Sequence, residues 1–222
     1  MIAVNLKLLS LFMPLLKIEY CTDTLIWCLW EITEEEDELY ALSNETKDSF
    51  KHISNEKVRK QSIAGRVALK HLIDKLDIEY HGIKKEENGK PFLINQPYPI
   101  SISHSKNIAA AIINLELNDV GIDIEGIQPK VLKLLPRFAN AEELAFALSK
   151  KEDPTNSTII WTLKEAVYKA FGKLNIEFKS QIETQFLNNE VTGIRIKELE
   201  SNFRNFQSKS VQVGSFIVSI TY

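Results

Sequence analysis

Asp123 and Glu125 stand two positions apart in GIDIE, residues 121–125, within a stretch that reads as a buried strand. On an extended strand such residues project to one face. The two carboxylates therefore converge while Val120, Ile122 and Ile124 turn the other way. A wet polar face on a half-buried strand is one explanation. The other is a hard divalent cation, because Mg2+ is held by a few carboxylates together with water and substrate phosphate oxygens. That explanation needs a third acid and a hold for phosphate elsewhere in the chain. IIWTLKEAVYKAFGK, residues 159–173, offers both, with Glu165 and Lys169 four apart on one helical face. Ile160, Leu163, Val167 and Phe171 are left for the core. Alone, Glu165 and Lys169 read as a surface ion pair worth roughly 0.2–0.5 kcal/mol. NGKP puts Lys90 on a loop stiffened by Pro91, and SISHS puts His104 at a strand end; each by itself reads as solvated.

Bringing these groups together requires strands and helices in a particular order. Residues 15–32 are β-branched and aromatic, which predicts two strands joined near Thr22 and Asp23. TEEEDELYAL follows as an acidic helix with Thr33 as its expected cap. Residues 55–76 give the longest helical pattern, with Asn55 as cap and Val58, Ile63, Val67 and Leu72 on one face. Asn88 and Gly89 form a turn. Strands are expected over residues 100–103 and 108–115, with residues 104–107 as the turn between them. Beyond the carboxylate strand, Pro129 and Pro136 suggest a linker, and Asn140 and Glu143 have the spacing of a reciprocal cap. A second long helix spans residues 156–171 and closes at Gly172. Strands are expected over residues 191–197 and in SVQV and SFIVSITY on either side of Gly214. The order is mixed α+β with one long helix in each half.

The 222 residues, 44% of them hydrophobic, suffice for one compact domain or two small ones. A net charge of -3 without a basic stripe argues against nucleic-acid binding. Cys21 and Cys28 have neither CxxC spacing nor accompanying histidines, which argues against a zinc or redox pair and suits a reducing cytoplasm. The apolar start MIAVNLKLLSLFMPLLKIEY has no cleavage pattern of a leader, and no run of about 18 apolar residues predicts a membrane span.

The ordered set NGKPFL, SISHS, GIDIE and WTLKEAVYKA resembles the 4'-phosphopantetheinyl transferases, and the chain length resembles their long, surfactin-type branch. The resemblance covers roughly residues 55–180, and its most specific element is the pairing of GIDIE with WTLKEAVYK. It implies an α+β fold of two pseudo-equivalent α/β halves, each a long helix packed on a small antiparallel sheet. The halves are expected at residues 13–115 and 116–222, the second carrying the metal site. MPLLKIEY resembles the usual start of the family at Met13, so residues 1–12 are expected to be an upstream extension or a start-site artefact.

By this resemblance Asp123, Glu125 and Glu165 match metal-binding acids that hold Mg2+ against the pyrophosphate of coenzyme A. Lys169 matches a lysine on that pyrophosphate, and Lys90, Ser103 and His104 match the loop and turn that hold the nucleotide. Arg66, and Arg59 in a spacing that departs from some family members, resemble the basic residues that meet the 3'-phosphate. Arg66 and Lys70 also place two cations on one helical face without an evident acidic partner, which an anion would relieve. Lys164 matches the lysine of the motif, without an assigned role.

The implied reaction moves 4'-phosphopantetheine from coenzyme A to a serine of an acyl or peptidyl carrier protein and releases 3',5'-ADP. Such carriers serve fatty-acid, polyketide or nonribosomal-peptide biosynthesis, and the enzyme is expected to be cytoplasmic and monomeric. Glu165 and Lys169 are the catalytic candidates, Glu165 taking the serine proton directly or through a water on the metal. Lys130, Lys133, Arg137 and Phe138, within residues 128–146, are candidates for meeting an acidic carrier, although the apolar residues of that segment equally suit a core. A non-catalytic binding module would be expected to lack a metal acid, whereas all three are present. A two-metal phosphohydrolase would want further His or Asp ligands.

Overall fold

The computed structural model describes residues 14–150, 153–198 and 202–222. Residues 1–12, expected as an extension, lie outside the described residues. The first sheet is antiparallel, in the order β1 (Leu15–Thr22), β2 (Leu25–Glu31), β6 (Ile108–Asn114), β5 (Ile100–Ser105). Alternation assigns its two faces. Ile26, Cys28, Trp30, Ala109, Ala111 and Ile113 turn toward the long helix α2 (Glu56–Lys75), which contributes Ile63, Val67, Leu72 and Ile73 to the same core. α1 (Glu36–Ser43) packs beside α2. Leu25, Trp27, Leu29, Ile108, Ala110 and Ile112 on the opposite face meet Ile122 and Ile124 of β7 (Gly121–Gly126) and Val120 just before it.

β7 is the edge of a second antiparallel sheet with β12 (Phe216–Thr221) and β11 (Ser208–Val213), in the order β11-β12-β7. The apolar faces of the two sheets thus share one core, which follows from the period-two patterning of GIDIE and FIVSIT. The other face of β7 receives the second long helix, α5 (Thr155–Phe171). Gly121 makes this possible: a Cβ there would stand 1.8 Å from the Ala166 carbonyl oxygen, so any side chain would push α5 off the strand. Gly65 on α2 has the corresponding place against β5, where a Cβ would meet Ile102 Cγ2 at 2.5 Å. α5 also covers a third sheet, in the order β10 (Phe203–Phe206), β9 (Glu190–Lys197), β8 (Ile182–Leu187). Three short helices, α3 (Lys130–Phe138), α4 (Ala141–Ala147) and α6 (Phe178–Gln181), close the remaining side of α5.

Several expectations change. The segment holding Pro129 and Pro136 is not a linker: α3 runs through Pro136, because Leu135 and Phe138 must be buried against the helices beside them. α1 starts at Glu36, with Glu38 accepting from the Glu35 backbone N–H at 2.9 Å, so Thr33 is not its cap. His104 and Ser105 belong to β5, and only Lys106 and Asn107 make the turn. β8, β10 and the hairpin of β3 (Ile83–Lys85) with β4 (Pro91–Leu93) were not anticipated as strands. Asn55 caps α2, Asn140 and Glu143 cap α4 reciprocally, and Gly172 ends α5 at φ 68°, as the sequence predicts.

Candidate active site

β5 and β7 run side by side at the seam between the two sheets, and serine hydroxyls join them where a backbone ladder would otherwise run. Ser101 Oγ accepts from the Ile122 N–H at 3.2 Å and Ser103 Oγ from the Ile124 N–H at 3.4 Å. The same serine face then reaches the carboxylates: Ser103 donates to Asp123 Oδ1 at 2.7 Å and Ser105 donates to Glu125 Oε2 at 3.0 Å. Lys169, one turn along α5 from Glu165, donates to Asp123 Oδ1 at 2.7 Å and to the Ile122 carbonyl at 3.1 Å. Asp123 Oδ1 is therefore doubly held, whereas its Oδ2 is buried and without a hydrogen-bond partner.

The three acids influence one another. Burial, with Asp123 and Glu125 adding to it against Lys169, pushes the Glu165 carboxyl up to about 7. Burial also raises Glu125, opposed by the Ser105 hydroxyl and reinforced by Asp123. Carboxylates crowded in this way lose their mutual repulsion when a cation is brought beside them. Among the described residues, no group of three or more His, Cys, Asp or Glu side chains is arranged to hold a metal ion as it stands. The donor set nevertheless fits Mg2+: all ligands are hard carboxylate oxygens, and the buried Asp123 Oδ2 has no other partner.

Beside the acids lies a cleft of about 240 Å³ between α2, the β3–β4 hairpin, β5 and the end of α5, lined by Arg66, Lys85, Lys90, His104, Lys169 and Lys173. A cleft walled by one sign of charge concentrates anions. Burial and the neighbouring Lys169 lower the basicity of half-buried His104. Lys90 reaches across the cleft: its ammonium donates to Asp119 Oδ1 at 2.5 Å and to the Ala170 carbonyl at 2.8 Å, while Asn88 Nδ2 donates to the Gly172 carbonyl at 2.6 Å. The NGK turn thus closes onto the C-terminal end of α5.

Arg66 lines the cleft with its guanidinium stacked 4.4 Å above the Phe50 ring and 3.4 Å from Glu45 Oε1. Lys70 pairs with Asp74 at 2.6 Å. The expectation that both cations lack acidic partners is therefore wrong: Asp74 is supplied by the next helical turn and Glu45 by the loop after α1. Arg59 is not brought to the cleft; it pairs with Glu36 at 2.8 Å and donates to the Ile53 carbonyl, tying α2 to α1. Lys164 is fully buried, donating to the Phe138, Phe178 and Ile182 carbonyls and pairing with Glu143 at 2.7 Å. It joins the helices around α5 and does not face the cleft. Phe138 is likewise core, whereas Lys130, Lys133, Leu134 and Arg137 are exposed along α3. Sequence reasoning missed Ser105, Lys85, Lys173 and Asp119. The period-two serines of SISHS were the available signal for Ser105.

The sequence model of the 4'-phosphopantetheinyl transferase superfamily matches residues 119–221. The 4'-phosphopantetheinyl transferase psf-1 of Bacillus pumilus is 31% identical over 120 residues, which is 51% of each chain. Sfp of Bacillus subtilis (strain 168), also a 4'-phosphopantetheinyl transferase, is 27% identical over 153 residues, 64% of this chain and 66% of its own. The Bacillus subtilis transferase ffp is 27% identical over 150 residues, covering 63% of this chain and 65% of its own. The chain thus spans between about half and two thirds of the length of these relatives.

Proposed function

We propose that this chain, whose residues 119–221 match the 4'-phosphopantetheinyl transferase superfamily, moves the 4'-phosphopantetheine group from coenzyme A to a serine of an acyl or peptidyl carrier protein. The observation that carries the reading is the adjacency of a cation-lined cleft to three carboxylates that include an unpartnered, buried Asp123 Oδ2. A pyrophosphate with a nucleotide attached suits that pairing, the nucleotide in the cleft and the pyrophosphate against the acids.

Mg2+ held by Asp123, Glu125 and Glu165 would neutralise charge on the pyrophosphate. The chain's own groups do the rest. Lys169 adds positive charge at the pyrophosphate, and Arg66, Lys90 and His104 surround the nucleotide, while Ser103 faces β7 and holds Asp123. The carrier serine oxygen forms a bond to the β-phosphorus, and the bond from that phosphorus to the bridging oxygen breaks. The leaving group is 3',5'-ADP. The serine proton passes to Glu165, directly or through a water beside it. The exposed cations and Leu134 of α3, next to Glu125, meet the carrier, whose serine helix is acidic. The functional division falls between residues 115 and 116, each side supplying one wall of the cleft.

Intact-mass measurement of a carrier protein incubated with the chain, coenzyme A and Mg2+ tests the reading. The expected result is a carrier heavier by one phosphopantetheine arm, with 3',5'-ADP as the co-product. An unmodified carrier, with coenzyme A either intact or hydrolysed, overturns it.

A further inference from the structure

SISHS contributes three hydroxyls to the seam with β7, and they do different work. Ser101 Oγ meets only backbone there, the Ile122 N–H. Ser103 Oγ meets the Ile124 N–H and Asp123, and Ser105 Oγ meets Glu125 Oε2 at 3.0 Å. Ser105 is 8% exposed, and its partner carboxylate sits at the end of the strand where β7 leaves the sheet. Asp123 is fixed from two sides, by Ser103 and Lys169. The hydrogen bond from Ser105 is the corresponding hold on Glu125.

We infer that Ser105 is a positioning residue, which donates to one oxygen of Glu125 and leaves the other for the cation that the unpartnered Asp123 Oδ2 would also hold. The inference rests on the proposed metal-binding role of Asp123, Glu125 and Glu165. Physically, a carboxylate that must ligate a cation loses rotamer freedom on binding, and a buried hydroxyl that has already chosen the rotamer removes part of that cost. Ser103 does the same for Asp123. The serines at alternate positions on β5 are thus one device repeated at the spacing of the acids on β7, since both strands place every second residue on the same face.

The test is Mn2+ binding to the full chain saturated with coenzyme A and without a carrier, so that no turnover occurs. Water-proton relaxation is read against coenzyme A alone. Ser105→Ala is expected to weaken Mn2+ about 10- to 100-fold, the usual cost of removing a group that orients a metal ligand. Ser105→Thr, which keeps the hydroxyl, is expected to stay within about threefold of the unaltered chain. Ser105→Ala that binds Mn2+ like the unaltered chain overturns the inference, as does equal weakening by Ser105→Ala and Ser105→Thr, which would make the effect one of packing. Failure of the unaltered chain to bind Mn2+ beyond the coenzyme A blank would instead overturn the metal assignment on which the inference rests.

Discussion

Lys164 Nζ lies 2.7 Å from Glu143 Oε2, and neither side chain has any solvent exposure. Burial lowers the basicity of Lys164, and Glu143 opposes that shift. Three backbone carbonyls complete the ammonium's shell, while Glu143 also accepts from the Asn140 and Thr184 N–H groups. Lys164→Met leaves a buried carboxylate and three carbonyls without their donor. It is expected to cost about 3–5 kcal/mol in urea unfolding, and Lys164→Met with Glu143→Met is expected to recover only part, since the two N–H groups stay orphaned. Transfer by whatever fraction remains folded is expected to keep the KM for coenzyme A unchanged, because the pair does not face the cleft.

Gly121→Ala tests how Glu165 is held against Asp123. The added methyl would begin 1.8 Å from the Ala166 carbonyl oxygen, a backbone atom that cannot swing aside. α5 must lift from β7, carrying Glu165 and Lys169 with it. The expected outcome is a loss of stability of about 3 kcal/mol or more in chemical denaturation. A circular-dichroism melt superimposable on that of the unaltered chain would show that α5 has room to shift.

The acids on β7 and the helix that faces them were legible because each carries a periodicity, two for the strand and 3.6 for the helix, that fixes a face without knowledge of the partner. Gly172 and the caps at Asn55 and Asn140 were legible for the same reason, being local chemistry. What the sequence did not disclose is set by distant partners. Arg59 and Arg66 look alike on α2, and only the fold delivers Glu36 to one and the cleft to the other. Lys164 and Lys169 lie on one helix within one motif, yet the first is sealed by α3, α6 and β8 while the second reaches Asp123. Helix α3 was hidden by Pro136, whose cost the burial of Leu135 and Phe138 offsets.

Glu165→Gln is expected to separate function from stability. The carboxyl is largely buried beside two others, and this raises it to about 7, so its anion is destabilising in the metal-free chain. With chelator present at pH 8, replacement by the neutral amide is expected to stabilise the fold by about 1–3 kcal/mol. The same change is expected to reduce transfer at least a hundredfold, and Asp123→Ala to do likewise without unfolding the chain. A Glu165→Gln protein that is less stable than the parent under chelation would mean that the carboxylate is satisfied by contacts of its own.

Asp119 links stability to pH through the hairpin latch. Burial opposes its ionisation, but Lys90 at 2.5 Å and Arg204 at 2.8 Å more than offset this, and its pKa falls below the ordinary 3.8. A carboxylate depressed in the folded state contributes stability above its unfolded pKa and loses it as pH falls through the folded value. Asp119→Asn is accordingly expected to cost about 1 kcal/mol at pH 6, discounted for partial exposure, with the gap to the unaltered chain closing below pH 3. A gap that is still constant on acidifying to pH 2 in urea titrations would assign the effect to the amide's geometry instead of the ion pairs.

Arg66 and Arg59 provide the comparison for nucleotide recognition. Arg66 lines the cleft, its guanidinium stacked on Phe50, and burial lowers its basicity against the pull of Glu45 and Tyr80. Such a cation gains from an anion brought into the cleft. If the 3'-phosphate is that anion, Arg66→Ala raises the KM for coenzyme A far more than that for 3'-dephospho-coenzyme A, since only the former has a contact to lose. A charge-assisted hydrogen bond is worth about 1.5–3 kcal/mol, which corresponds to roughly a tenfold to hundredfold change. Arg59→Ala removes the Glu36 pair and is expected to lower thermal stability slightly while leaving both KM values within about twofold. Equal losses for the two donors in Arg66→Ala would assign Arg66 to the support of the cleft wall through Phe50 and Glu45, and a large KM effect in Arg59→Ala would return that residue to the nucleotide site.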